Sequence, residues 1–403
     1  MHWEAKLRRS HAPLWSCLAG RLAVLVLVAG VAGCGTVSTV TGWFGPNAKP
    51  KAKPAELIDF KSALTLLRSW EVNIGVAGAY MFVPATDGQA VYAASRDGRV
   101  VKVDLATGKE LWRIEVAQTL SAGVGVGEGL VLLGTPRGEV LAYRTQDGAP
   151  AWRAKVGSEI LVPPAAAQGV VAARGNDGRI SLLEATDGKL RWESLRTLPA
   201  LTLREQGHLL VTDKAVYAGH AGGRMTALAL NNGAPLWEGN LAVPRGTTEL
   251  ERIADVVGPL AMDDRRVCGA AYQGRVGCMD LARGGGLWAR EVSALRGVDM
   301  DGRMVYVADV RGGVLAFDKQ RGTHPWKQDK LRDRDLSSPT AVAEKYVAVG
   351  DYQGYVHLLN TDDGAFVARA PTDGSPIRAA MVPLASGLVV QTGNGNLIAL
   401  RIQ

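Results

Sequence analysis

The chain has 403 residues, of which 47% are hydrophobic, 21% are charged and only 6% are aromatic, and 49 residues are glycine. This composition allows a large globular body, and many glycines with few aromatic residues are typical of a fold with many tight turns. The formal charge is +7, but the first 33 residues carry a net +3, which leaves +4 on the remainder. Because the remaining bases are scattered among turns, the charge gives no support to nucleic-acid binding.

Residues 1–33 have the pattern of a bacterial export signal. Four basic residues precede an apolar run over 22–32, which is too short to span a membrane as a helix. The residues 31–33 and the following Cys34 resemble the lipobox of bacterial lipoproteins. This resemblance implies that Cys34 becomes a lipidated N-terminus, and the glycine after it implies sorting to the outer membrane. The alternative is an ordinary signal with an incidental cysteine.

Residues 34–56 are predicted to be a flexible tether. Its segment 47–54 consists of Asn, Ala, Lys and Pro, so it cannot build a core and should be extended at about 3 Å per residue. We therefore expect the globular domain to cover 57–403 and to be held away from the membrane surface.

One pattern recurs along the rest of the chain. Its first copy, 91–112, contains two runs rich in β-branched residues joined at Asp97-Gly98, a second turn at Thr107-Gly108, and a short run that carries Trp112. Asp-Gly is typical of a two-residue hairpin turn, and Thr-Gly of a slightly longer connection. The first glycine recurs at Gly98, Gly138, Gly178, Gly223, Gly274, Gly312 and Gly354, and each is followed ten residues later by a second glycine.

The repeat length predicts a β-propeller. Successive first glycines are 38 to 51 residues apart, and a period near 40 with about four short strands indicates propeller blades. The period-2 alternation excludes a helical solenoid, and a β-helix would need shorter repeats. An eighth unit stops at 388–400, before its last strand, whereas 67–72 has no hairpin ahead of it. We predict an all-β, eight-bladed propeller with four antiparallel strands per blade, whose N-terminal strand closes the last blade.

The tryptophans after residue 43 all occupy one position of this repeat. Six follow the first glycine by fourteen residues, the seventh lies on the N-terminal strand, and Ala368 stands at the remaining position. Each buries about 150–250 Å² of surface, so we predict that they dock blade on blade and do not form a ligand cage. They are Trp70, Trp112, Trp152, Trp192, Trp237, Trp288 and Trp326.

Two cysteines fall within the predicted globular domain. Cys268 and Cys278 flank the turn at Gln273-Gly274. A two-residue turn would place residue 269 opposite Cys278, so the two cysteines would point to opposite faces of the sheet. In an oxidising compartment they could bond, but this register makes a disulfide the less favoured interpretation.

Two connections between repeats are longer than the others, at 195–205 and at 244–256. Extra loop length on one side of a propeller is where binding surfaces are usually built. Leu201 and Leu203, beside Arg204, could form an apolar patch with a charged rim. The alternative is that these leucines only cap the core between two blades.

No motif predicts catalysis, a cofactor or a metal. The histidines beyond the signal are far apart, and no HExxH, GxSxG, P-loop or CxxC pattern occurs. Sequence spacing does not test a site assembled from distant blades. These histidines are His208, His220, His324 and His357.

The unit at 103–112 resembles the tryptophan-docking repeat of pyrroloquinoline-quinone enzymes, which several non-enzymatic propellers share. Over its whole mature length the chain is similar to the BamB family, the lipoproteins of the outer-membrane β-barrel assembly machinery. The similarity includes the lipobox, the tether, the eight blades and both long connections. Its most specific segments are 201–204 and 246–256.

The resemblance implies a non-catalytic scaffold, anchored by lipid on the periplasmic face of the outer membrane. It implies that both long connections dock on the periplasmic POTRA domains of the central barrel subunit. Leu201 and Leu203 would supply apolar contacts, Arg204 a charged contact and Asp255 a polar one. The family has a second acid two positions after that aspartate, where this chain has Val257.

Three further functions stay open at this stage. Exposed strand edges could hold nascent outer-membrane proteins by strand addition. A quinone-dependent dehydrogenase is an alternative. Such enzymes typically have a longer chain and a pair of adjacent cysteines, and no two cysteines of this chain are adjacent. A ligand-sensing propeller is the third, and titration against small molecules would separate it from a scaffold.

Overall fold

The computed structural model describes residues 53–204 and 206–403. Within these residues the chain forms 32 β-strands arranged in eight four-stranded antiparallel sheets, each of which is one blade. The prediction of an all-β, eight-bladed propeller is confirmed. No helix in this part of the chain is long and apolar enough to cross a membrane. The predicted signal, Cys34 and the predicted tether up to residue 52 lie outside the described residues.

Blades 1 to 4 follow the chain in order, each with its strands paired consecutively. Blade 1 contains β2 (Ala85–Thr86), β3 (Ala90–Ala94), β4 (Arg99–Asp104) and β5 (Glu110–Glu115). Blade 2 contains β6 (Ala122–Gly127), β7 (Leu130–Gly134), β8 (Glu139–Arg144) and β9 (Pro150–Lys155). Blade 3 contains β10 (Ala165–Ala167), β11 (Val170–Arg174), β12 (Arg179–Glu184) and β13 (Leu190–Leu195). Blade 4 contains β14 (Leu209–Val211), β15 (Ala215–Gly219), β16 (Arg224–Ala229) and β17 (Pro235–Asn240).

Blades 5 to 8 complete the ring. Blade 5 contains β18 (Val256–Met262), β19 (Arg266–Ala271), β20 (Arg275–Asp280) and β21 (Gly286–Glu291). Blade 6 contains β22 (Ala294–Met300), β23 (Met304–Asp309), β24 (Val314–Asp318) and β25 (Trp326–Gln328). Blade 7 contains β26 (Thr340–Val342), β27 (Tyr346–Gly350), β28 (Tyr355–Asn360) and β29 (Phe366–Pro371). Blade 8 contains β30 (Val382–Leu384), β31 (Gly387–Gln391), β32 (Asn396–Ile402) and, as its fourth strand, β1 (Leu66–Asn73).

Blade 8 is closed by the two ends of the propeller chain. β1 pairs antiparallel with β32, with Trp70 opposite Ala399. The N–H of Thr65 donates to the carbonyl of Gln403 at 2.8 Å, and the N–H of Gln403 donates back at 3.0 Å. The predicted closure of the last blade by the N-terminal strand is therefore present, and it removes the open edges of the ring.

The core lies between the blades. All five residues of the second strand β3 are buried, whereas the fourth strand β5 alternates between exposed and half-buried residues. Successive side chains of a strand point to opposite faces, so a middle strand packed between two other blades buries both faces. The outermost strand of each blade is only partly covered and forms the edge of the ring.

Each tryptophan of the repeat joins one blade to the next. Trp70 Nε1 donates to the carbonyl of Leu105 in blade 1 at 3.0 Å, and the other six make the equivalent contact at 2.8–3.1 Å. The Trp70 ring packs on Gly108, which has φ +72° and where a Cβ would overlap the ring. The second glycine of each repeat is therefore the docking site for the preceding tryptophan.

The interface between blades 7 and 8 is built differently. Ala368 occupies the tryptophan position, and blade 8 has no turn between its third and fourth strands because these are the two ends of the propeller. Residues 55–65, which we call the strap, lie here along the outer strand of blade 7. The N–H groups of Ala63 and Leu64 both donate to the carbonyl of Val367 at 3.0 Å. The strap thus packs beside the one blade interface that lacks a tryptophan.

A buried ion pair holds the beginning of the strap. Arg334 Nη1 donates to the carbonyl of Ala55 at 2.8 Å, and its Nη2 lies 2.7 Å from Asp351 Oδ2. His357 Nε2 lies 3.0 Å from the same carboxylate oxygen, and Arg369 donates to the carbonyl of Ile58 at 3.0 Å. Ala55 was predicted to belong to the tether, but it is already fastened to the propeller.

The hairpin turns are one residue longer than predicted. In blade 1 the N–H of Ser95 donates to the carbonyl of Arg99 at 2.9 Å, and that of Gly98 donates to Ser95 at 3.2 Å. The loop is therefore the three residues 96–98, a type I turn that ends on Gly98 at φ +96°. Blade 5 has the same three-residue count at 272–274, between strands that pair in register at Ala270 and Val276.

This extra residue places Cys268 directly opposite Cys278. The two cysteines form a disulfide with Cα atoms 4.0 Å apart, buried between blades 5 and 6. The prediction that they point to opposite faces was wrong, because a register shift of one residue turns every side chain of a strand to the other face.

We expect the Cys268→Ala/Cys278→Ala variant to be less stable than the wild type by about 2–3 kcal/mol. The bridge joins residues ten positions apart, and closing this loop removes conformational entropy from the unfolded chain. Denaturant unfolding without reductant measures the difference. Reductant should destabilise the wild type alone, and equal stability of the two proteins would contradict the expectation.

Candidate partner-binding surface

The two long connections lie on the same face of the propeller. Residues 196–208 join β13 to β14, and residues 241–255 join β17 to β18. Strand direction alternates within a blade, so every connection between blades lies on the same side as the turns between second and third strands. We call this side the connection face.

Exposed apolar side chains occur on both of these connections. Leu201 is 43% exposed and Leu250 is 64% exposed, Val243 is also exposed, and Leu203 is half-buried. The two connections border one groove of about 370 Å³, between 196–199 and 242–244. We define the loop surface as Leu201, Leu203, Arg204, Val243 and Leu250. Exposed apolar residues on neighbouring connections are typical of protein-binding sites.

Asp255 lies beneath the loop surface. It is only 3% exposed, and its Oδ2 accepts the N–H of Leu203 at 2.6 Å while its Oδ1 accepts the N–H of Gly222 at 2.9 Å. The resemblance implies that Asp255 contacts a partner, and this stays a prediction; in the free chain both carboxylate oxygens are already occupied by these N–H groups. Asp255 is a positioning residue that fastens the first connection to blade 4. The neighbouring Val257 is fully buried as well.

A buried arginine fastens the end of the first connection. Arg174 Nη1 donates to the carbonyl of Gly207 at 3.0 Å and also contacts the carbonyl of Gly219. Burial lowers the pKa of Arg174 to about 10, with the charge of Asp255 acting in the opposite direction. The side chain therefore stays charged at neutral pH. A basic residue at the end of an apolar strand is the signal in the sequence that could have indicated it.

The second connection is held by its own side chains. The Glu251 carboxylate accepts the N–H groups of Thr247 at 2.8 Å and Thr248 at 3.1 Å. The Thr248 hydroxyl accepts the N–H of Glu251 at 3.3 Å, which makes a capping box. These hydrogen bonds lower the pKa of Glu251. Leu250 lies between Thr248 and Glu251 and is thereby presented to solvent on a fixed turn.

Arg204 already has partners within the chain. Its Nη2 lies 2.7 Å from Glu159 Oε1, and its guanidinium carbon lies 5.4 Å from the centre of the Tyr80 ring. The Tyr80 hydroxyl lies 3.2 Å from the same Glu159 oxygen. Glu159 and Tyr80 belong to the connections that lead into blades 3 and 1. The sequence singled out neither residue, because nothing in its spacing shows that these three connections meet.

Two histidines near Arg174, the buried His220 and the half-buried His208, predict a dependence of stability on pH. Burial lowers the pKa of His208 from 6.5 to about 4 and lowers that of His220 as well, and the charge of Arg174 adds to both shifts. A histidine whose pKa is lower in the folded state takes up its proton on unfolding. Its contribution to stability is therefore complete above pH 6.5 and is lost as the pH falls from 6.5 towards 4.

We expect the free energy of unfolding to be lower at pH 4.5 than at pH 7.5. The lowered pKa of His208 alone, about 4, corresponds to a loss of roughly 3 kcal/mol as the pH falls from 6.5 to below 4. Denaturant unfolding at both pH values measures the loss, and the His208→Gln variant should show a smaller loss than the wild type. A variant with an unchanged pH dependence would show that other groups are responsible.

The described residues contain no group of three or more His, Cys, Asp or Glu side chains that could hold a metal ion. The buried pair of His357 and Asp351 faces Arg334 and Arg369 and holds the strap. Burial lowers the pKa of His357, although Asp351 favours its protonated form. This pair thus has a structural task in blade 7.

The fold defines a tryptophan-docked, eight-bladed β-propeller, and the loop surface is exposed on its connection face. The chain matches the family described as "Outer membrane protein assembly factor BamB" over residues 96–328 and 310–403. It belongs to the BamB family of outer-membrane protein assembly factors. That family consists of assembly factors and not of enzymes, which confirms the prediction of a non-enzyme.

Individual relatives span most of the chain. The outer membrane protein assembly factor BamB of Bordetella pertussis is 37% identical over 350 residues, which cover 87% of this chain and 90% of that protein. The BamB of Nitrosomonas eutropha is 38% identical over 389 residues, which cover 95% of each. The crystal structure of BamB from Moraxella catarrhalis has a TM-score of 0.77 at 25% identity, covering 83% of this chain and 99% of that one.

Quinone enzymes share the fold alone. The quinohemoprotein alcohol dehydrogenase of Comamonas testosteroni has a TM-score of 0.66 at 12% identity, covering 83% of this chain and 76% of that one. A structural similarity at this level of identity indicates a shared propeller architecture and does not indicate a shared activity.

Proposed function

We propose that this chain is a non-catalytic scaffold in outer-membrane protein assembly, and that its loop surface binds the POTRA domains of the central barrel subunit. The observation that carries the proposal is the loop surface itself. Leu201 and Leu250 are exposed on connections whose backbones are fastened by Asp255, Arg174 and Glu251. A surface that is already ordered loses little conformational entropy on binding.

Each part of the loop surface has a separate role in this proposal. Leu201 and Leu203 supply apolar area, and full burial of one leucine contributes roughly 1.5–3 kcal/mol. Arg204 supplies a positive charge at the rim. Asp255 acts through Leu203, whose N–H it holds.

We place the protein at the periplasmic face of the outer membrane, held by lipid on Cys34 through the tether. The path of the chain is consistent with this arrangement. The strap begins at Ala55, which bonds to Arg332 and Arg334 in the connection between blades 6 and 7. The chain therefore enters the propeller on the connection face, the same face that carries the loop surface.

Contact with nascent outer-membrane proteins is a separate proposal with less support. The outer strand of blade 1 has a β-bulge at Leu111, beside its tryptophan, and outer strands of other blades have the same irregularity. Bulges twist an edge away and hinder the addition of a further strand. The loop surface therefore has the stronger case as the main binding site.

Recovery of tagged protein from detergent-solubilised envelopes tests the proposal. The wild type should recover a large barrel protein that contains POTRA domains, and the Leu201→Ala/Leu203→Ala/Arg204→Ala variant should not. Leu287→Ala is the matched control, because Leu287 is 45% exposed but lies on the outer strand of blade 5. If even the wild type recovers no barrel protein, the assignment is wrong, and a ligand-sensing role would have to be tested.

A further inference from the structure

We infer that Tyr80 lies at the centre of a second docking surface, which receives acidic side chains of a protein partner through the surrounding arginines. The inference rests on the proposed function, because it extends the loop surface from Arg204 towards blades 8 and 1. We call this second surface the Tyr80 surface and define it as Tyr80, Arg96, Arg204 and Arg378, supported by Glu159.

Three arginines approach the connection between blades 8 and 1 from different blades. Arg204 stacks on the Tyr80 ring. Arg378 lines the same small depression as Tyr80, between blades 8 and 1. The stem of Arg96 packs over Gly78, with its Cδ 2.8 Å from the place a Cβ would take. These side chains belong to connections or turns on the connection face, so they share one side of the ring.

The charges around Tyr80 are not balanced within the chain. Arg96 is exposed and has no ion pair among the described residues, while Arg378 has one long contact, 3.6 Å, with Asp335. Arg204 is paired with Glu159. Asp97, which follows Arg96, is paired with Arg99. Arg96 and the weakly paired Arg378 therefore leave an excess of positive charge here, which fits acidic side chains on a partner.

Glu159 positions Arg204 for such a contact. Only Nη2 of the guanidinium is used by Glu159, and the Arg204 side chain is 59% exposed. A guanidinium has five N–H donors and can bind a carboxylate through two parallel hydrogen bonds. The Tyr80 ring and the Glu159 carboxylate both contact this group and restrict its orientation. The remaining donors are therefore oriented before the partner arrives.

The two supports are themselves fastened to the propeller. The carbonyl of Glu159 accepts the N–H of Asn176 at 2.8 Å, and the next residue, Ile160, bridges to Gly175. Tyr80 is followed closely by Phe82, which is buried in the core between blades 1 and 2. Both supports of Arg204 are thus attached to the blades.

The affinity of the full-length lipidated protein for the purified central barrel subunit, in detergent and at several salt concentrations, tests this inference. We expect Arg96→Ala/Arg378→Ala to weaken binding about 5- to 20-fold at low salt and to reduce the salt dependence. Arg303→Ala is the matched control, since Arg303 is an exposed arginine in a turn on the opposite face. If the double variant has the affinity and the salt dependence of the wild type, the inference that the Tyr80 surface binds the partner is wrong.

The role of Glu159 has its own test. Glu159→Ala should weaken binding several-fold, whereas Glu159→Gln keeps an oxygen that accepts from Arg204 and should stay within about twofold of the wild type. Equal binding of all three proteins would overturn the positioning role. If Leu201→Ala/Leu203→Ala abolishes binding while the arginine variants have no effect, the proposed function is supported and the inferred role of the Tyr80 surface is wrong. If the wild type does not bind the barrel subunit, both the proposed function and the role of the Tyr80 surface are wrong.

Discussion

The Trp237→Ala variant is expected to be about 3–5 kcal/mol less stable than the wild type, the usual cost of removing a buried tryptophan. Trp237 is buried against Gly284 of the next blade, and its Nε1 donates to the carbonyl of Leu281 at 2.9 Å. Truncation removes this packing and leaves the carbonyl with only the longer hydrogen bond, 3.5 Å, from the Tyr217 hydroxyl. Denaturant unfolding monitored by circular dichroism measures the loss.

Two further variants separate the contributions of this contact. Leu236→Ala, at the exposed neighbouring position, should change stability by less than about 0.5 kcal/mol. Trp237→Phe keeps a ring but loses one hydrogen bond to the Leu281 carbonyl, and should cost about 0.5–1.5 kcal/mol. A Trp237→Ala variant no less stable than Leu236→Ala would show that the tryptophan does not lock the blades.

The Arg334→Ala variant is expected to lose about 3–5 kcal/mol, because it leaves the buried Asp351 without its ion-pair partner. Both side chains are buried, and burial would raise the pKa of the Asp351 carboxyl. Hydrogen bonds from His357 and Arg334 reverse this effect and hold that pKa below its usual value. Arg334 also holds the carbonyl of Ala55, so we expect amide hydrogen exchange in the strap to accelerate.

An exposed ion pair supplies the control for this variant. Arg303 and Asp362 lie 2.6 Å apart, but both side chains are more than half exposed, and exposed pairs contribute at most about 1 kcal/mol. Arg303→Ala should therefore leave both the stability and the exchange of the strap close to those of the wild type. Unchanged exchange at 55–60 in Arg334→Ala would contradict the anchoring role of this arginine.

The overall fold could be predicted because the residues that recur in the repeat are those that contact each other between neighbouring blades. The second glycine of one blade receives the tryptophan of the preceding blade, as Gly108 receives Trp70, so both residues recur at a fixed spacing. The strand order and the closure of blade 8 followed from this spacing and from the unmatched strand at the N-terminus.

The turn lengths and the disulfide were harder to predict. Asp-Gly fits both a two-residue turn and the end of a three-residue turn, because a positive φ at glycine is needed in each. The choice between them shifts the register by one residue. This single residue decides that Cys268 faces Cys278, and the composition of the turn does not reveal it.

The site was predictable only in part, because its parts meet across the ring. Leu201 and Arg204 stood out through the length of their connection and through the family resemblance. The burial of Asp255 depends on its contacts with Leu203 and Gly222, which sequence spacing does not show. The contact of Arg204 with Glu159 joins connections that are 45 residues apart, so no local pattern indicated it.

The affinity of the lipidated protein for the purified central barrel subunit tests the central claim most directly. Replacing Leu201 and Leu203 by alanine should cost about 2–3 kcal/mol, which is roughly a 30- to 150-fold weaker affinity. The Leu287→Ala control should bind like the wild type. Equal affinity of the double variant and the wild type, with both proteins folded, would contradict the assignment of the loop surface as the binding site.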